Sequence, residues 1–399
     1  MGISIGLIGT GQFSHSFIPL WQRHPDVDDV RVTEVLPERM AEAEERHDIK
    51  TAYESEDELL ASDVDAVAVF TQRWTHGEHV LRALQAGKHV YSTVPMGMTV
   101  EELTAITDEV AKTGLTYMMG ETSFYYPSSV FCRQKYAAGD FGRVFYSEGD
   151  YVHDMDLGFY SAYQYSGGDD WKRTASFPPM HYPTHAIGNV LSVTGRHAVA
   201  VSCIGVKDER GDGVFDKDVS MFDNDFSNAT GLFKLDDGSI MRTNEMRRVG
   251  YPSHKNESRL RVFGTEASFE QLAMVSVWQD KEDSYDVTEQ VVSRRAKGLD
   301  DPMLEGIDPA LREAFVSGMA PAHRDEARRL PKEFSGMRNG HSGSHHFLAD
   351  DFVRAVVDRT IPPVNAWVAA RYTMPGIVAH QSALQGGVQL PISDLGDPR

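Results

Sequence analysis

The chain has 399 residues, which is too long for one ordinary domain and predicts two. A net charge of −20 argues against nucleic acids and anionic membranes as partners, although a local basic cluster could still bind an anionic small molecule. With only two cysteines, and no apolar run of the roughly 18–20 residues that span a bilayer, we expect a cytoplasmic protein without disulfide bonds.

The first 120 residues alternate short apolar runs with helical patterns. Strands are predicted over residues 3–8, 30–35, 64–70, 89–92 and 116–119, and helices near 38–47, 77–86 and 100–112. Strands that alternate with helices in this way predict βαβ units and a parallel sheet. Because the first residues already predict a strand, we do not expect a secretory signal peptide there.

The stretch GLIGTGQFS, residues 6–14, places a glycine-rich turn after the first predicted strand. Such a turn lets backbone N–H groups approach a pyrophosphate, and Gly9 and Gly11 stand where it needs them, while Ser14 replaces the third glycine. Glu34 ends the second predicted strand and can accept hydrogen bonds from an adenosine ribose, which favours NAD over NADP. The alternative is an ordinary turn followed by a surface glutamate.

After about residue 125 the pattern changes to longer strands with fewer helices. Helices are predicted near 128–138, 184–193, 344–358 and 365–382, hairpins over 232–246 and 258–270, and a surface segment over 280–340. An Asp-Gly pair favours a tight turn in the first hairpin, and Ser344 stands at an N-cap position. This part of the chain is therefore predicted to be α+β.

Several motifs resemble the glucose–fructose oxidoreductase/inositol dehydrogenase/MocA (Gfo/Idh/MocA) family. They are GLIGTG at residues 6–11, the TxxxxHxE pattern of Thr71, His76 and Glu78, and ALQAGKHV at residues 83–90. The resemblance implies an α/β Rossmann domain over residues 1–123. It also implies an α+β domain over 124–399, whose open sheet covers the nicotinamide on one face and supports a homodimer or homotetramer on the other.

The resemblance also implies NAD as the cofactor and names the residues that bind it. These are Gly9, Gly11, Gln12, Phe13, Glu34, Arg39, Thr71, His76, Thr93 and Pro95.

Two family motifs are altered in this chain. The Glu-Lys-Pro of the family is Thr93-Val94-Pro95 here, so valine replaces the usual catalytic lysine. The Asp-x-Gly-x-His motif runs from His181 to His185, and only its last histidine is kept. A dehydrogenase needs a group that takes the hydroxyl proton, and valine cannot do so. Either the chain is inactive or other residues supply the acid and base.

Histidine and tyrosine side chains are the candidates for this proton transfer, because histidine titrates near neutrality. His181 and His185 could point into one cleft, and Tyr182 is a further candidate base. Tyr126 is either a proton carrier or a wall of the site. The two histidines could also bind a metal, but the sequence lacks a supporting carboxylate pattern and no metal is predicted.

A second group of residues is predicted to bind the substrate: Trp171, Lys172, Arg173, His153, His341 and His345. Lys172 and Arg173 suit an anionic substituent such as a sulfonate, and the neighbouring tryptophan could stack on a sugar. The alternative is a solvated basic turn. The histidines at 341 and 345 are similar in place to a His-Gly-Gly stretch in family members that are NAD-dependent glycosidases.

Three functions are compatible with this pattern. The first is a redox-neutral, NAD-dependent glycoside hydrolase that acts on an anionic sugar glycoside, in the manner of a sulfoquinovosidase. The second is a sugar or cyclitol dehydrogenase with a histidine base. The third is a non-catalytic NAD-binding sensor, which the valine at position 94 favours and the many histidines oppose.

Overall fold

A computed structural model describes residues 2–156, 160–250, 257–294, 296, 298–316 and 318–398. The strands are β1 Ile3–Ile8, β2 Val27–Thr33, β3 Ala52–Tyr53, β4 Ala66–Val69, β5 His89–Ser92, β6 Tyr117–Met119, β7 Val144–Val152, β8 Ala198–Lys207, β9 Phe226–Leu235, β10 Ile240–Met246, β11 Ser258–Gly264, β12 Ser268–Gln271, β13 Ser276–Gln279, β14 Ser284–Asp286 and β15 Leu390–Pro391. The helices are α1 Ile18–Arg23, α2 Pro37–His47, α3 Glu56–Ala61, α4 His76–Gln85, α5 Val100–Thr113, α6 Pro127–Ala137, α7 Tyr160–Gly167, α8 Trp171–Ala175, α9 Thr184–Thr194, α10 Thr288–Val291, α11 Pro309–Val316, α12 Arg324–Ala327, α13 His345–Val357 and α14 Ala366–Leu384.

The first compact unit comprises residues 1–125, 293–370 and 395–399. Its sheet has the strand order β3-β2-β1-β4-β5-β6, and all the strands run parallel. Ile5, Leu7 and Val67 are fully buried, as expected for a sheet that helices cover on both faces. The predicted Rossmann-like α/β fold is confirmed.

Residues 293–370 belong to this first unit although they follow the second unit in the sequence. The sequence pattern placed a single boundary after residue 123, because a contact between distant segments leaves no local signal. The predicted surface segment over 280–340 is wrong, since Leu304, Phe315 and Phe334 are buried. The helices in this segment are short and their apolar residues are widely spaced. The sequence therefore shows no helical hydrophobic period, although these side chains are buried.

The second compact unit comprises residues 126–292 and 371–394. Its sheet has the strand order β14-β13-β12-β11-β7-β10-β9-β8-β15, and only the β7–β10 pair is parallel. Both predicted hairpins are present, β9–β10 and β11–β12, and Gly238 takes a φ of 83° in the first turn. The predicted α+β class of this part is confirmed.

Strand β7 and helix α9 lie unusually close together in the second unit. A Cβ added at Gly149 would stand 2.1 Å from the carbonyl oxygen of Ala186, so only glycine fits there. This contact determines the position of the first turn of α9, which carries one of the histidines predicted to be catalytic.

None of the helices in the described ranges combines the length and the apolar character of a membrane-spanning segment.

Candidate functional site

The glycine loop follows β1 directly. Gly9 has a φ of 89°, and a Cβ there would stand 2.9 Å from the Phe70 carbonyl oxygen. At Gly11 the nearest atom to such a Cβ would be 3.9 Å away, so the protein itself does not crowd this position. Ser14 is buried and donates a hydrogen bond to the Gly11 carbonyl oxygen at 2.8 Å. The open space at Gly11 fits the close approach of a ligand such as a pyrophosphate.

The carboxylate of Glu34 lies against the same loop. One oxygen accepts hydrogen bonds from the backbone N–H of Thr10 at 2.8 Å and from its hydroxyl at 3.2 Å. The other oxygen accepts from the backbone N–H of Leu36 at 3.1 Å. Glu34 is half-buried and therefore both positions the loop and keeps lone pairs for a ribose hydroxyl.

His76 connects two loops at the carboxyl ends of β4 and β5. Its Nδ1 lies 2.8 Å from the carbonyl oxygen of Pro95, and its Nε2 lies 3.2 Å from both the Thr71 carbonyl and the Thr93 hydroxyl. Burial lowers the pKa of His76 to about 4, so the ring is neutral near pH 7. His76 therefore holds the Thr93–Pro95 segment in place, and Val94 within it is buried.

A segment from the far end of the sequence covers Phe13 of the glycine loop. The rings of His341 and His345 pack edge-on against Phe13, at 5.2 and 5.3 Å, and the two histidines are hydrogen-bonded at 2.8 Å. The predicted capping bond from Ser344 is absent, although the residue does stand at the N-cap position of α13. Asn339 instead accepts a hydrogen bond from a backbone N–H in the first turn of α13.

The second unit contains a group of aromatic and charged side chains, which we call the Tyr151 cluster: Tyr151, Tyr182, His185, Glu245 and Arg247. Tyr182 is half-buried and the other four are buried. His185 Nε2 is hydrogen-bonded to the Tyr182 hydroxyl at 3.1 Å, and its ring lies 4.7 Å from that of Tyr151. The guanidinium of Arg247 lies 4.6 Å from the Tyr151 ring and donates to Glu245 at 2.7 Å. The cluster combines an imidazole, two phenols and a cation that is paired with a carboxylate. Groups of these types can act as general acids and bases.

Charge and burial act in opposite directions on Tyr151. Burial raises the pKa of its hydroxyl well above the ordinary value, the nearby Tyr182 raises it further, and the Arg247 cation lowers it. Tyr151 is therefore a neutral phenol near pH 7. In this state it can donate a proton or a hydrogen bond to a developing alkoxide.

Comparison with known proteins supports a specific family. Residues 3–121 match the family model described as "Oxidoreductase family, NAD-binding Rossmann fold". An alpha-N-acetylgalactosaminidase of Bacteroides fragilis is 33% identical over 139 residues, which is 34% of this chain and 32% of that protein. A glycosyl hydrolase family 109 protein of Saccharopolyspora erythraea is 29% identical over 202 residues, 48% of this chain and 44% of its own length.

Residues 3–121 are an NAD-binding Rossmann domain of the Gfo/Idh/MocA family. The matched part of the chain spans 32% and 44% of the length of these two curated relatives. A solved levoglucosan dehydrogenase in complex with NADH has a TM-score of 0.74 at 15% identity, covering 99% of this chain and all of that one, which shows the fold alone.

All ten residues assigned to the cofactor lie in the first unit: Gly9, Gly11, Gln12, Phe13, Glu34, Arg39, Thr71, His76, Thr93 and Pro95. Thr71 is beside Gly9, and the Arg39 carbonyl accepts a hydrogen bond from Thr10. The geometry gives His76 a supporting role in the loops, while direct contact of each residue with NAD stays a prediction.

The structure separates the two histidines that were expected to share a cleft. His181 packs edge-on against His380 at 4.7 Å and against Phe177 at 6.0 Å, while His185 packs on the Tyr151 cluster. Burial lowers the pKa of His181 to about 3. The turn at 179–181 precedes α9, so a spacing of four residues does not bring the rings onto one helix face. His181 is better placed for packing than for proton transfer.

The basic motif at 171–173 is partly occupied by contacts within the protein. Trp171 packs against Tyr160 at 5.0 Å, and Lys172 donates to the Asp212 carbonyl oxygen at 2.7 Å. Arg173 remains exposed and lies 4.0 Å from Asp170. Lys172 and Arg173 are both exposed, and contact of any of the three residues with a substrate stays a prediction.

Two other predicted residues lie next to the Tyr151 cluster. The His153 ring is 5.6 Å from that of Tyr151, and the buried Tyr126 lies close enough to raise the pKa of Tyr151. Both positions are compatible with lining the site. The described residues contain no group of three or more acidic, histidine or cysteine side chains arranged to hold a metal ion.

Sequence reasoning missed Tyr151, Glu245 and Arg247. Tyr151 and Glu245 are opposite each other in the parallel β7–β10 pair. These strands are about 90 residues apart in the sequence, and nothing in either strand indicates that they pair in parallel. The alternation of side chains along each strand could have shown which residues share a face, but not which strands are neighbours.

Replacing Glu34 by Ala should weaken NADH binding about tenfold, because one ribose acceptor and one support of the loop are lost. The affinity for NADPH should change less, so the ratio of the NADH affinity to the NADPH affinity should decrease. Fluorescence titration of both cofactors measures this, with the exposed Glu38→Ala as a control that removes the same charge. Equal affinities of the unmodified protein for both cofactors would contradict the assignment.

The free energy of unfolding should fall as the pH decreases from 6.5 to 4. His76 has a folded pKa of about 4, below its unfolded value, so its contribution is complete above pH 6.5 and is lost as the pH falls through 4. His76→Gln should remove up to about 3 kcal/mol of this pH dependence. Denaturant titrations at pH 7 and pH 4 test this. If the free energy of unfolding depends on pH as strongly in the variant as in the unmodified protein, this would argue for a charged His76.

Proposed function

We propose that this protein is an NAD-dependent glycoside hydrolase whose reaction is redox-neutral. The observation that carries the proposal is the hydrogen-bonded His185–Tyr182 pair within the Tyr151 cluster. It supplies proton-transfer groups in a chain that keeps the NAD-binding domain and has Val94 in place of the family lysine. The similarity of part of the chain to an alpha-N-acetylgalactosaminidase and to a glycosyl hydrolase supports the same function.

Bound NAD would accept a hydride from C3 of the sugar and return it at the end of the cycle. The oxidised C3 makes the C2 proton acidic, and we assign its removal to His185, which is hydrogen-bonded to Tyr182. Loss of the C2 proton expels the aglycone from C1, and water then adds at C1 while the proton returns to C2. Tyr151, a neutral phenol, can donate a hydrogen bond to the C3 oxygen as charge develops there.

We further propose an anionic sugar, similar to a sulfoquinovoside, as the substrate. Arg173 supports this, since its exposed guanidinium suits a sulfonate or carboxylate, whereas Lys172 already donates to a backbone carbonyl. The relative from Bacteroides fragilis is named for a neutral acetamido sugar, so a neutral glycoside is the competing choice.

A sugar or cyclitol dehydrogenase is the second candidate. The levoglucosan dehydrogenase has a similar fold over 99% of this chain, which makes net oxidation of a sugar a direct alternative. In that reaction His185 would accept the hydroxyl proton and the ketosugar would be released.

We propose self-association through the open face of the second unit's sheet. Ile204, Val206 and Leu232 are 57%, 55% and 51% exposed on the neighbouring strands β8 and β9. Apolar side chains exposed side by side on a sheet favour burial against another surface. A second copy of this chain, in a homodimer or homotetramer, is the proposed occupant.

A panel of aryl glycosides, both neutral and anionic, tests the reaction with a catalytic amount of NAD. We expect aglycone release without net NADH, and deuterium at C2 of the sugar when the reaction runs in heavy water. Arg173→Ala should raise KM for the anionic substrate more than for the neutral one. Stoichiometric NADH with a stable ketosugar would support the dehydrogenase instead, and no turnover of any substrate would favour the sensor.

His185→Ala should lower kcat by about 100-fold or more, because it removes the proposed base. The Kd for NADH should stay within about twofold of the unmodified protein. His197→Ala is a matched control, since this histidine belongs to the same unit and lies near the surface beside Asp236. A near-normal rate for His185→Ala would place the base elsewhere, with Tyr126 and Tyr182 as the next candidates.

A further inference from the structure

We propose that a cavity beside the glycine loop binds a phosphate-class anion through Arg46 and Arg338. The cavity has a volume of about 350 Å³ and lies within the first unit. Its wall includes Gln12 of the glycine loop and His345 at the start of α13. The other lining residues come from the turn before α1, from α1 itself and from residue 337.

The charge of the lining is the first reason for this proposal. The cavity wall contains two arginines, two histidines and no carboxylate, in a chain with 59 acidic and 39 basic residues. Within the described part of the chain, Arg338 makes no ion pair with any carboxylate. Arg46 has only the partly exposed Glu42, at 3.5 Å. A surface pair of this kind contributes little stability, so both guanidinium groups can accept a new anionic partner.

The histidines in the wall provide the second reason. His15 Nδ1 lies 2.8 Å from His47 Nε2, and its own Nε2 lies 3.8 Å from Glu42. When His47 Nε2 donates the hydrogen bond to His15 Nδ1, the ring proton of His15 is on Nε2 and faces the Glu42 carboxylate. Burial and the nearby Arg46 lower the pKa of His15, and burial together with positive neighbours that include Arg338 lowers that of His345. Both histidines are therefore neutral hydrogen-bonding groups near pH 7, and the positive charge of the cavity comes from Arg46 and Arg338.

The chemistry of the wall identifies the class of ligand. A cation or a metal would find no carboxylate there, whereas guanidinium groups donate in a fork that matches the oxygens of a phosphate. The proposed ligand is a free phosphate or a phosphate ester that is separate from the cofactor. Its binding depends neither on NAD nor on the proposed hydrolase reaction.

Isothermal titration of the full-length protein distinguishes this anion from the pyrophosphate of the cofactor. The ligands are inorganic phosphate, ADP-ribose, which has the pyrophosphate, and adenosine, which lacks it. The variants are Arg338→Met, Arg46→Met and the charge-retaining Arg338→Lys. The control is Arg328→Met, which removes an equal charge from an exposed arginine paired with Asp325. Thermal melting confirms that each variant is folded, and Arg338→Gln replaces any that is not.

Inorganic phosphate should bind the NAD-saturated protein and should bind roughly tenfold more weakly after either Arg→Met change. Arg338→Lys should bind phosphate more tightly than Arg338→Met, because it keeps the charge. The affinities for ADP-ribose and adenosine should not change. Competition of phosphate with NAD, together with weaker ADP-ribose binding in Arg338→Met, would mean that the arginines bind only the cofactor's pyrophosphate and would overturn the proposal. Unchanged phosphate binding in both Arg→Met variants would also overturn it, and so would an equal loss in Arg328→Met.

Discussion

The close contact between β7 and α9 is the constraint on which the candidate proton-transfer group depends. The Ala186 carbonyl occupies the space that a side chain at Gly149 would need. His185 precedes that carbonyl by one residue, so the contact holds its ring against Tyr151. Because a close-packed interior transmits displacements of this size, any residue larger than glycine would move the imidazole away from its partners.

The buried pair of Arg247 and Glu245 has a comparable role in the electrostatics of the same unit. Each charge compensates the other, which is the condition under which a buried cation is tolerated. The guanidinium also lies over Tyr151 and, at 5.7 Å, over Tyr182. A compensated cation next to two phenols stabilises negative charge that forms nearby, without making the phenols anionic in the resting protein.

In the first unit, the loops that follow β4 and β5 are held by a neutral side chain, His76. His76 is kept neutral by burial and connects two loops through hydrogen bonds to backbone and hydroxyl oxygens. The segment that carries Val94 therefore keeps its position without the lysine of the family. The loss of that lysine alters the chemistry available at this place but leaves the NAD-binding fold intact, which is why fold and reaction must be considered separately here.

Local sequence determined much of this protein. The alternation of apolar runs and helical periods predicted the parallel sheet, the Asp-Gly pair predicted a hairpin, and the glycine turn with Glu34 predicted the nucleotide loop, because each of these depends on neighbours in the chain. Only the tertiary structure decided that residues 293–370 join the first unit, that His181 and His185 separate, and that Arg247 lies over Tyr151. These features depend on contacts between segments far apart in the sequence, and the pairing of distant segments is determined by how whole elements pack rather than by any local pattern.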